Sequence, residues 1–110
     1  MKEIKAVVRP QKLPRLREVL RAYPGFPGMT ITRAVGCGAT ARHVPSTIKE
    51  ELTDFTDKVR IEIVAPDEIA DVLVERIVQV ASTGQTGDGL VWVNDVQRAV
   101  FIRKTVGPDS

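Results

Sequence analysis

The stretch with the clearest capacity to bind a ligand is glycine-rich: Thr83-Gly84-Gln85-Thr86-Gly87-Asp88-Gly89. Because glycine has no side chain, its backbone N–H group can approach an anion closely. The stretch follows a predicted helix rather than preceding one, so it is neither a P-loop nor a Rossmann turn. A plain connection from a helix to a strand, with a glycine cap, is the alternative interpretation.

A second glycine pair, Gly36-Cys37-Gly38, follows a predicted strand and is interpreted as a turn. Cys37 is the only cysteine, so an internal disulfide is excluded. No His or Lys adjoins it in sequence to activate its thiol, which argues against a reactive cysteine. His43 is the only histidine. A symmetric oligomer could gather several copies of it, but a solvated loop histidine explains it equally simply.

Catalytic patterns are missing from the sequence. It contains neither G-x-S-x-G nor H-E-x-x-H, and no paired Cys/His constellation. Asp54, Asp57 and Asp88 lie near loops, but no spacing indicates two carboxylates held together for acid–base chemistry. The sequence therefore predicts a protein that is not an enzyme.

Composition limits the class of protein. The chain has 110 residues, of which 43% are apolar and 27% charged, and its net charge is +2. These values predict one globular domain, 1–110, and no dedicated nucleic-acid surface. No apolar run approaches the roughly 20 residues that span a bilayer, and the first residues lack the apolar core of a secretory signal. We expect a cytoplasmic protein that does not insert into a membrane.

Hydrophobic periodicity supplies the elements that must position these residues. Ile4, Ala6 and Val8 fall on one face with Glu3 and Lys5 opposite, as in a strand, although Val7 interrupts strict alternation. Val59, Ile61 and Ile63 alternate cleanly with polar residues. In chain order the predictions are strand Glu3–Arg9, helix Pro10–Tyr23, strand Met29–Val35, long loop Ala39–Asp57, strand Lys58–Val64, a helix from Pro66, the glycine stretch, strand Leu90–Val93, a turn at Asn94-Asp95, a short strand Ala99–Arg103 and a flexible tail at 104–110. The order is that of an α+β, ferredoxin-like βαββαβ sandwich with a short extra C-terminal strand.

At this level of detail the sequence resembles the P-II family of signal-transduction proteins. The glycine stretch is similar to the family signature T-G-x-x-G-D-G. Supporting matches in register are Val8-Arg9-Pro10-Gln11-Lys12-Leu13, Gly28-Met29-Thr30-Ile31-Thr32, Gly36-Cys37-Gly38, Asp54-Phe55, Lys58-Val59 and Ile61-Glu62-Ile63-Val64-Ala65-Pro66. The resemblance extends from Met1 to about Arg103.

The resemblance implies a homotrimer that binds ATP or ADP between subunits. It also implies that the long loop Ala39–Asp57, the family's T-loop, contacts a partner protein such as a membrane transporter, a regulatory enzyme or a transcription factor. With Mg-ATP, many family members also bind 2-oxoglutarate at the base of this loop. Whether Mg accompanies the nucleotide in this chain stays open.

By position, the resemblance assigns nucleotide contacts across the chain. Gly87, Asp88 and Gly89 would cradle phosphates through backbone N–H groups, and Thr83 begins the same segment. Thr30 and Val64 would contact the adenine. The remaining assignments are Gly36, Cys37 and Gly38 on the neighbouring side of the cleft, Lys58 near the base of the T-loop, and Arg103 from the adjacent subunit.

Departures from the family pattern affect the phosphate end. Leu90 stands where the family usually has lysine, and Phe101 replaces the first arginine of an R-x-R pair that ends at Arg103. Each lost charge-assisted bond is worth about 1.5–3 kcal/mol, which favours a nucleotide with fewer phosphates, such as ADP or AMP, or an altered affinity.

The loop departs from the family pattern as well. It contains no tyrosine for uridylylation, and Ala39-Thr40 replaces a glutamine that supports 2-oxoglutarate binding. These losses are typical of divergent branches with other tasks. Two other hypotheses remain open: a trimeric regulator that binds bicarbonate or a metal ion and has lost nucleotide sensing, and a slow ATPase.

Overall fold

A central β-strand organises the fold in the computed structural model, which describes residues 1–38 and 55–102. Strand β1 (Lys2–Val8) lies between β3 (Phe55–Ala65) and β4 (Gly89–Asp95), and β2 (Thr30–Cys37) pairs with β3 at the outer edge. The sheet order is β2-β3-β1-β4, and all three pairings are antiparallel. The predicted βαββαβ order of an α+β sandwich is confirmed.

Two helices cover one face of this sheet. A 3₁₀ turn (Pro10–Lys12) leads into α1 (Leu13–Arg21), and α2 (Asp67–Ala81) follows β3 directly. Pro14 lies in the first turn of α1, where its missing N–H has no cost. Asp67 and Glu68 lie in the first turn of α2, where carboxylates interact favourably with the positive end of the helix dipole. In the described part of the chain, neither helix is long and apolar enough to cross a membrane.

The core lies between the helices and alternate residues of the strands. Ile4, Ala6 and Val8 are at most 2% exposed, as their alternation predicted. The other buried residues are Leu16, Leu20, Val59, Ile61, Ile63, Ala65, Ala70, Leu73, Ile77 and Ala81. The opposite face of the sheet carries Lys5, Val7, Arg60, Glu62 and Trp92, and no element within residues 1–38 and 55–102 covers it.

At four places the structure has a different kind of element from the one predicted. Gly36 and Cys37 do not turn the chain, because they continue β2 and pair with Thr56 and Phe55. Correspondingly, β3 begins at Phe55, so 55–57 belong to a strand rather than to the predicted loop Ala39–Asp57. The rest of that loop, 39–54, lies outside the described residues.

At the other end of the chain, Asn94 and Asp95 do not form a turn. They extend β4 and pair with Glu3 and Lys2. The predicted strand Ala99–Arg103 is wrong for 99–102, which have no regular structure; Val100, Phe101 and Ile102 are 65–99% exposed. A strand needs a neighbour to pair its backbone groups, and no strand of the described chain lies beside these residues. Arg103 and the predicted flexible tail lie outside the described residues.

Candidate functional site: the glycine turn and its cations

The glycine turn is closed by the carboxylate of Asp88. One oxygen, Oδ2, accepts hydrogen bonds from the amides of Thr83 at 2.6 Å, Gly84 at 3.0 Å and Gln85 at 3.3 Å. The other oxygen, Oδ1, accepts the Thr83 hydroxyl. The Thr83 hydroxyl, followed by the three amides, lowers the pKa of Asp88 to about 2. Asp88 is therefore ionised at neutral pH, and its carboxylate orders the turn.

The amides of the turn are thereby divided into two groups. Those of Thr83, Gly84 and Gln85 point towards the Asp88 carboxylate, and the Asp88 amide donates to the Gln85 carbonyl at 3.4 Å. Thr86 and Gly87 instead line a cleft on the outer side of the turn. A ligand can therefore reach the turn most directly at Thr86 and Gly87.

Glycine is required at two positions of the turn for different reasons. Gly89 has φ +122°, and a Cβ there would lie 1.8 Å from the carbonyl oxygen of Val7. The close approach of β4 to β1 therefore excludes any side chain. Gly87 has φ +93°, and a Cβ there would lie 3.3 Å from Nη2 of Arg9 and 3.9 Å from Nζ of Lys58. A side chain at Gly87 would occupy the space in which these two cations meet the turn.

Arg9 and Lys58 hold the turn from the sheet. Arg9 follows β1, and its Nη2 donates to the carbonyl of Thr86 at 2.9 Å. Lys58, in β3, donates through Nζ to the carbonyl of Gly87. Gly36, whose missing side chain leaves room for the Lys58 stem, lies beside it in β2. Three strands and the turn therefore meet at one end of the sheet.

Arg9 also carries an unused donor. Its Nε lies 3.4 Å from Oδ1 of Asp88, which is a charge contact, but the geometry does not form a hydrogen bond. Nε is buried and has no hydrogen-bond partner among the described residues. The sequence interpretation missed Arg9 because the residue follows the first strand and is far from the glycine stretch in sequence. Its position at a strand end, immediately before Pro10, was the available signal.

The cleft beside these residues is open and polar. It has a volume of about 620 Å³ and is lined by Arg9, Pro10, Gln11, Thr56, Asp57, Lys58, Thr86 and Gly87. Its charged groups are two cations and the carboxylate of Asp57. A cleft with an excess of positive charge next to a glycine turn has the chemistry of an anion site.

The predicted contact residues fall into two groups. Gly36, Lys58, Thr83, Gly87, Asp88 and Gly89 lie together at the end of the sheet described above, and Cys37 and Gly38 follow Gly36, with the Cys37 thiol exposed. Thr30 and Val64 lie towards the opposite end. Thr30 pairs with Glu62, next to Val64 on the open face of the sheet. Arg103 lies outside the described residues.

Metal ligands do not gather in the described ranges 1–38 and 55–102, where no three His, Cys, Asp or Glu side chains form a group. His43 lies outside these ranges. A metal site therefore receives no support from this part of the structure.

Comparison with known proteins places this architecture in one family. Residues 1–106 match the family model described as nitrogen regulatory protein P-II. Nitrogen regulatory protein P-II 1 of Escherichia coli K12 is 44% identical over 104 residues, which are 94% of this chain and 92% of that protein. The P-II proteins of Klebsiella oxytoca and Haemophilus influenzae are 43% and 42% identical over the same shares of both chains. The match covers the sheet, both helices and the glycine turn, and the chain therefore belongs to the nitrogen regulatory protein P-II family.

Proposed function

We propose that this chain is a signal-transduction protein that binds an adenine nucleotide between neighbouring subunits of a homotrimer and regulates a partner protein. The observation that carries the proposal is the meeting of Arg9 and Lys58 at Gly87. Both cations are held by backbone carbonyls of the turn, next to an open cleft. Positioned cations beside exposed glycine backbone favour a phosphate group.

The distance separating the two groups of contact residues supports a location between subunits. Lys58 and Val64 are six residues apart in β3, which corresponds to about 20 Å at the rise of an extended strand. That distance exceeds the distance from the adenine to the phosphates of one nucleotide. Thr30 and Val64 of one subunit would therefore serve the adenine of a nucleotide whose phosphates lie at Gly87 of its neighbour.

The phosphate end of the site favours few phosphates. Leu90 directly follows Gly89 and is 65% exposed, and Phe101 is also 65% exposed. Both are apolar where the family usually has a cation. Among the described residues, the cations that line the cleft are Arg9 and Lys58, and the family resemblance adds Arg103. We therefore expect ADP or AMP to compete well with ATP, and Mg to matter only for ATP.

The regulatory output would pass through the loop between β2 and β3. Residues 38 and 55 are the last described residues on either side of it, and Gly36 and Lys58 lie close to them. A nucleotide at Gly87 would lie next to Lys58 and so next to the base of this loop. The relatives are named as nitrogen regulatory proteins, and a cytoplasmic metabolic enzyme or a membrane transporter is the class of partner proposed here.

Isothermal titration calorimetry on the purified oligomer tests the proposal. AMP, ADP, ATP and cyclic AMP are titrated separately, with and without Mg, and bicarbonate is titrated as the small-anion alternative. We expect saturable binding of ADP or AMP that Lys58→Gln weakens and Arg98→Gln leaves unchanged. A folded trimer that binds none of the nucleotides would refute the nucleotide site, and a response to bicarbonate alone would replace it with an anion sensor.

A further inference from the structure

A small, mostly apolar cavity lies between the C-terminal end of α2 and the start of β4. It has a volume of about 170 Å³, and its lining includes Val8, Ile77 and Val91. Val78 and Leu90 also line it and are 49% and 65% exposed, so apolar surface continues to its mouth. An apolar cavity of about 150 Å³ accepts benzene. The cavity therefore has room for one apolar side chain from outside.

The same chain carries an apolar segment that no described residue covers. Val100, Phe101 and Ile102 are 70%, 65% and 99% exposed, and no strand of residues 1–38 and 55–102 pairs with them. Contiguous exposed apolar side chains indicate contact with another molecule. In an extended segment, successive side chains point to opposite sides. Val100 and Ile102 would therefore face one way and Phe101 the other.

The path of the chain favours the cavity of another subunit as the place where this segment packs. Strand β4 begins at Gly89, beside the cavity, and ends at Asp95, about 20 Å away at the rise of an extended strand. The amide of Val96 donates to the carbonyl of Met1 at 3.1 Å, which holds the chain at that far end. In a homotrimer, each subunit can pass such a segment to the next, and this head-to-tail contact closes into a ring.

The cavity and the proposed nucleotide cleft are lined by consecutive residues of one turn. Asp88 and Gly89 line the cavity, whereas Thr86 and Gly87 line the cleft. Because these residues are adjacent in the chain, a side chain packed in the cavity restricts the backbone that faces the cleft. Ordering the turn in advance lowers the entropic cost of binding a ligand there.

We propose that Ile102 of one subunit inserts into this cavity of its neighbour and thereby orders the neighbour's glycine turn for nucleotide binding. The inference rests on the homotrimer of the proposed function. Ile102 is the more exposed and the larger of the two side chains on its side of the segment. It would act as a positioning residue, since it supports the turn without touching the nucleotide.

Cross-linking of introduced cysteines tests which cavity Ile102 occupies. Val78→Cys and Ile102→Cys are combined in a Cys37→Ser background, and the purified oligomer is treated with bismaleimidoethane, which joins thiols at short range. We expect covalent dimers and trimers on a denaturing gel. The matched control combines Gln79→Cys with Ile102→Cys, because Gln79 is adjacent on α2 but lines a groove shared with α1. The control should remain monomeric on the gel.

Nucleotide affinity tests the effect on the turn. Ile102→Asp would place a carboxylate in a mostly apolar cavity, which is unfavourable. We expect this variant to bind ADP or AMP at least about tenfold more weakly in calorimetry. Ile102→Leu keeps an apolar side chain of the same size and should bind as tightly as wild type. Circular dichroism verifies that each variant is folded.

Three results would overturn the inference. One is a cysteine pair at 78 and 102 that yields no more cross-linked product than the control. Another is a product that mass spectrometry finds only within single chains, which would place the segment in its own subunit's cavity. The third is wild-type nucleotide affinity in Ile102→Asp. A trimer that cross-links as expected but binds no nucleotide would instead refute the proposed function and keep the contact between subunits.

Discussion

The carboxylate of Asp88 accepts both the backbone amide and the hydroxyl of Thr83, and this pair of bonds closes the glycine turn between α2 and β4. Asp88 thus forms hydrogen bonds within its own chain. Its carboxylate accepts hydrogen bonds from the amides at the start of the turn, whereas Thr86 and Gly87 line the cleft. The order of this turn should therefore depend on the charge of one residue.

Acid should remove the contribution of Asp88 to stability. Its pKa is lowered to about 2 by hydrogen bonds from Thr83 and the following amides, whereas an unfolded aspartate titrates near pH 3.9. A lowered pKa means that the folded state favours the ionised form, so the stabilisation is complete above about pH 4 and is lost as the pH falls towards 2. Urea unfolding between these pH values should show the free energy of unfolding falling more steeply in wild type than in Asp88→Asn.

The difference in unfolding free energy between wild type and Asp88→Asn is the informative quantity, because the other carboxylates titrate in both proteins. The difference between their unfolding free energies should shrink as the pH is lowered. A difference that stays constant from neutral pH to pH 2.5 would show that ionised Asp88 does not stabilise the turn.

Glycine is needed at position 89 for steric reasons. A Cβ at Gly89 would lie 1.8 Å from the Val7 carbonyl oxygen, so β4 would have to move away from β1. We expect Gly89→Ala to lower the free energy of unfolding by about 3 kcal/mol or more. Gly84→Ala is the matched control, because Gly84 has φ +78° but open space around it.

Gly84→Ala should cost only the strain of a left-handed alanine, about 1–2 kcal/mol. Chemical unfolding of both variants at one protein concentration gives the comparison. Equal destabilisation by the two substitutions would mean that backbone strain, and not the contact with Val7, accounts for Gly89.

Much of this architecture is encoded locally. The alternation of Ile4, Ala6 and Val8 predicted a buried strand face, because burial on a sheet follows a period of two. The end of β2 was not predictable in the same way. Glycine at position 36 suggested a turn, but the strand continues because Thr56, distant in sequence, pairs with it. Residues 99–102 show the converse, since their apolar character suggested a strand and the described chain supplies no pairing partner.

The candidate site was predictable to a similar extent. The glycine stretch by itself predicted a turn between the helix and the strand, because glycine favours turns. The role of Arg9 in holding the turn was not predictable, because its hydrogen bond to Thr86 joins residues 77 positions apart. The hydrogen bonds that the Asp88 carboxylate accepts from its own turn were also not predictable, since sequence spacing does not distinguish a residue that binds a ligand from one that orders the loop.

Restoring the missing cations should change nucleotide preference. Leu90 and Phe101 are both 65% exposed, so replacing them should disturb little packing within the chain. In the double variant Leu90→Lys/Phe101→Arg, each new cation could contribute a charge-assisted bond of about 1.5–3 kcal/mol to a phosphate. We expect the affinity for ATP relative to AMP to rise by about tenfold or more, as measured by calorimetry.

A control places one added cation away from the turn, for example Val93→Lys, at a β4 residue that is 41% exposed. That variant should keep the wild-type ratio of ATP to AMP affinity. An unchanged ratio in Leu90→Lys/Phe101→Arg would mean that positions 90 and 101 do not face the phosphates.

Shared sites between subunits can be tested by complementation. Val64→Gln alters the adenine group of contacts, whereas Lys58→Glu alters the phosphate group about 20 Å away along β3. Each variant alone should lose nucleotide binding.

In mixed trimers from co-expression, however, some interfaces combine an intact Val64 of one subunit with an intact Lys58 of its neighbour. Random assembly makes these about a quarter of all interfaces. Calorimetry should then recover a matching fraction of binding sites. Mixing Lys58→Glu with Arg9→Glu, which alter the same group, should recover none. If the two groups served one nucleotide within a single subunit, no mixture would restore binding, because every subunit would carry a defective site.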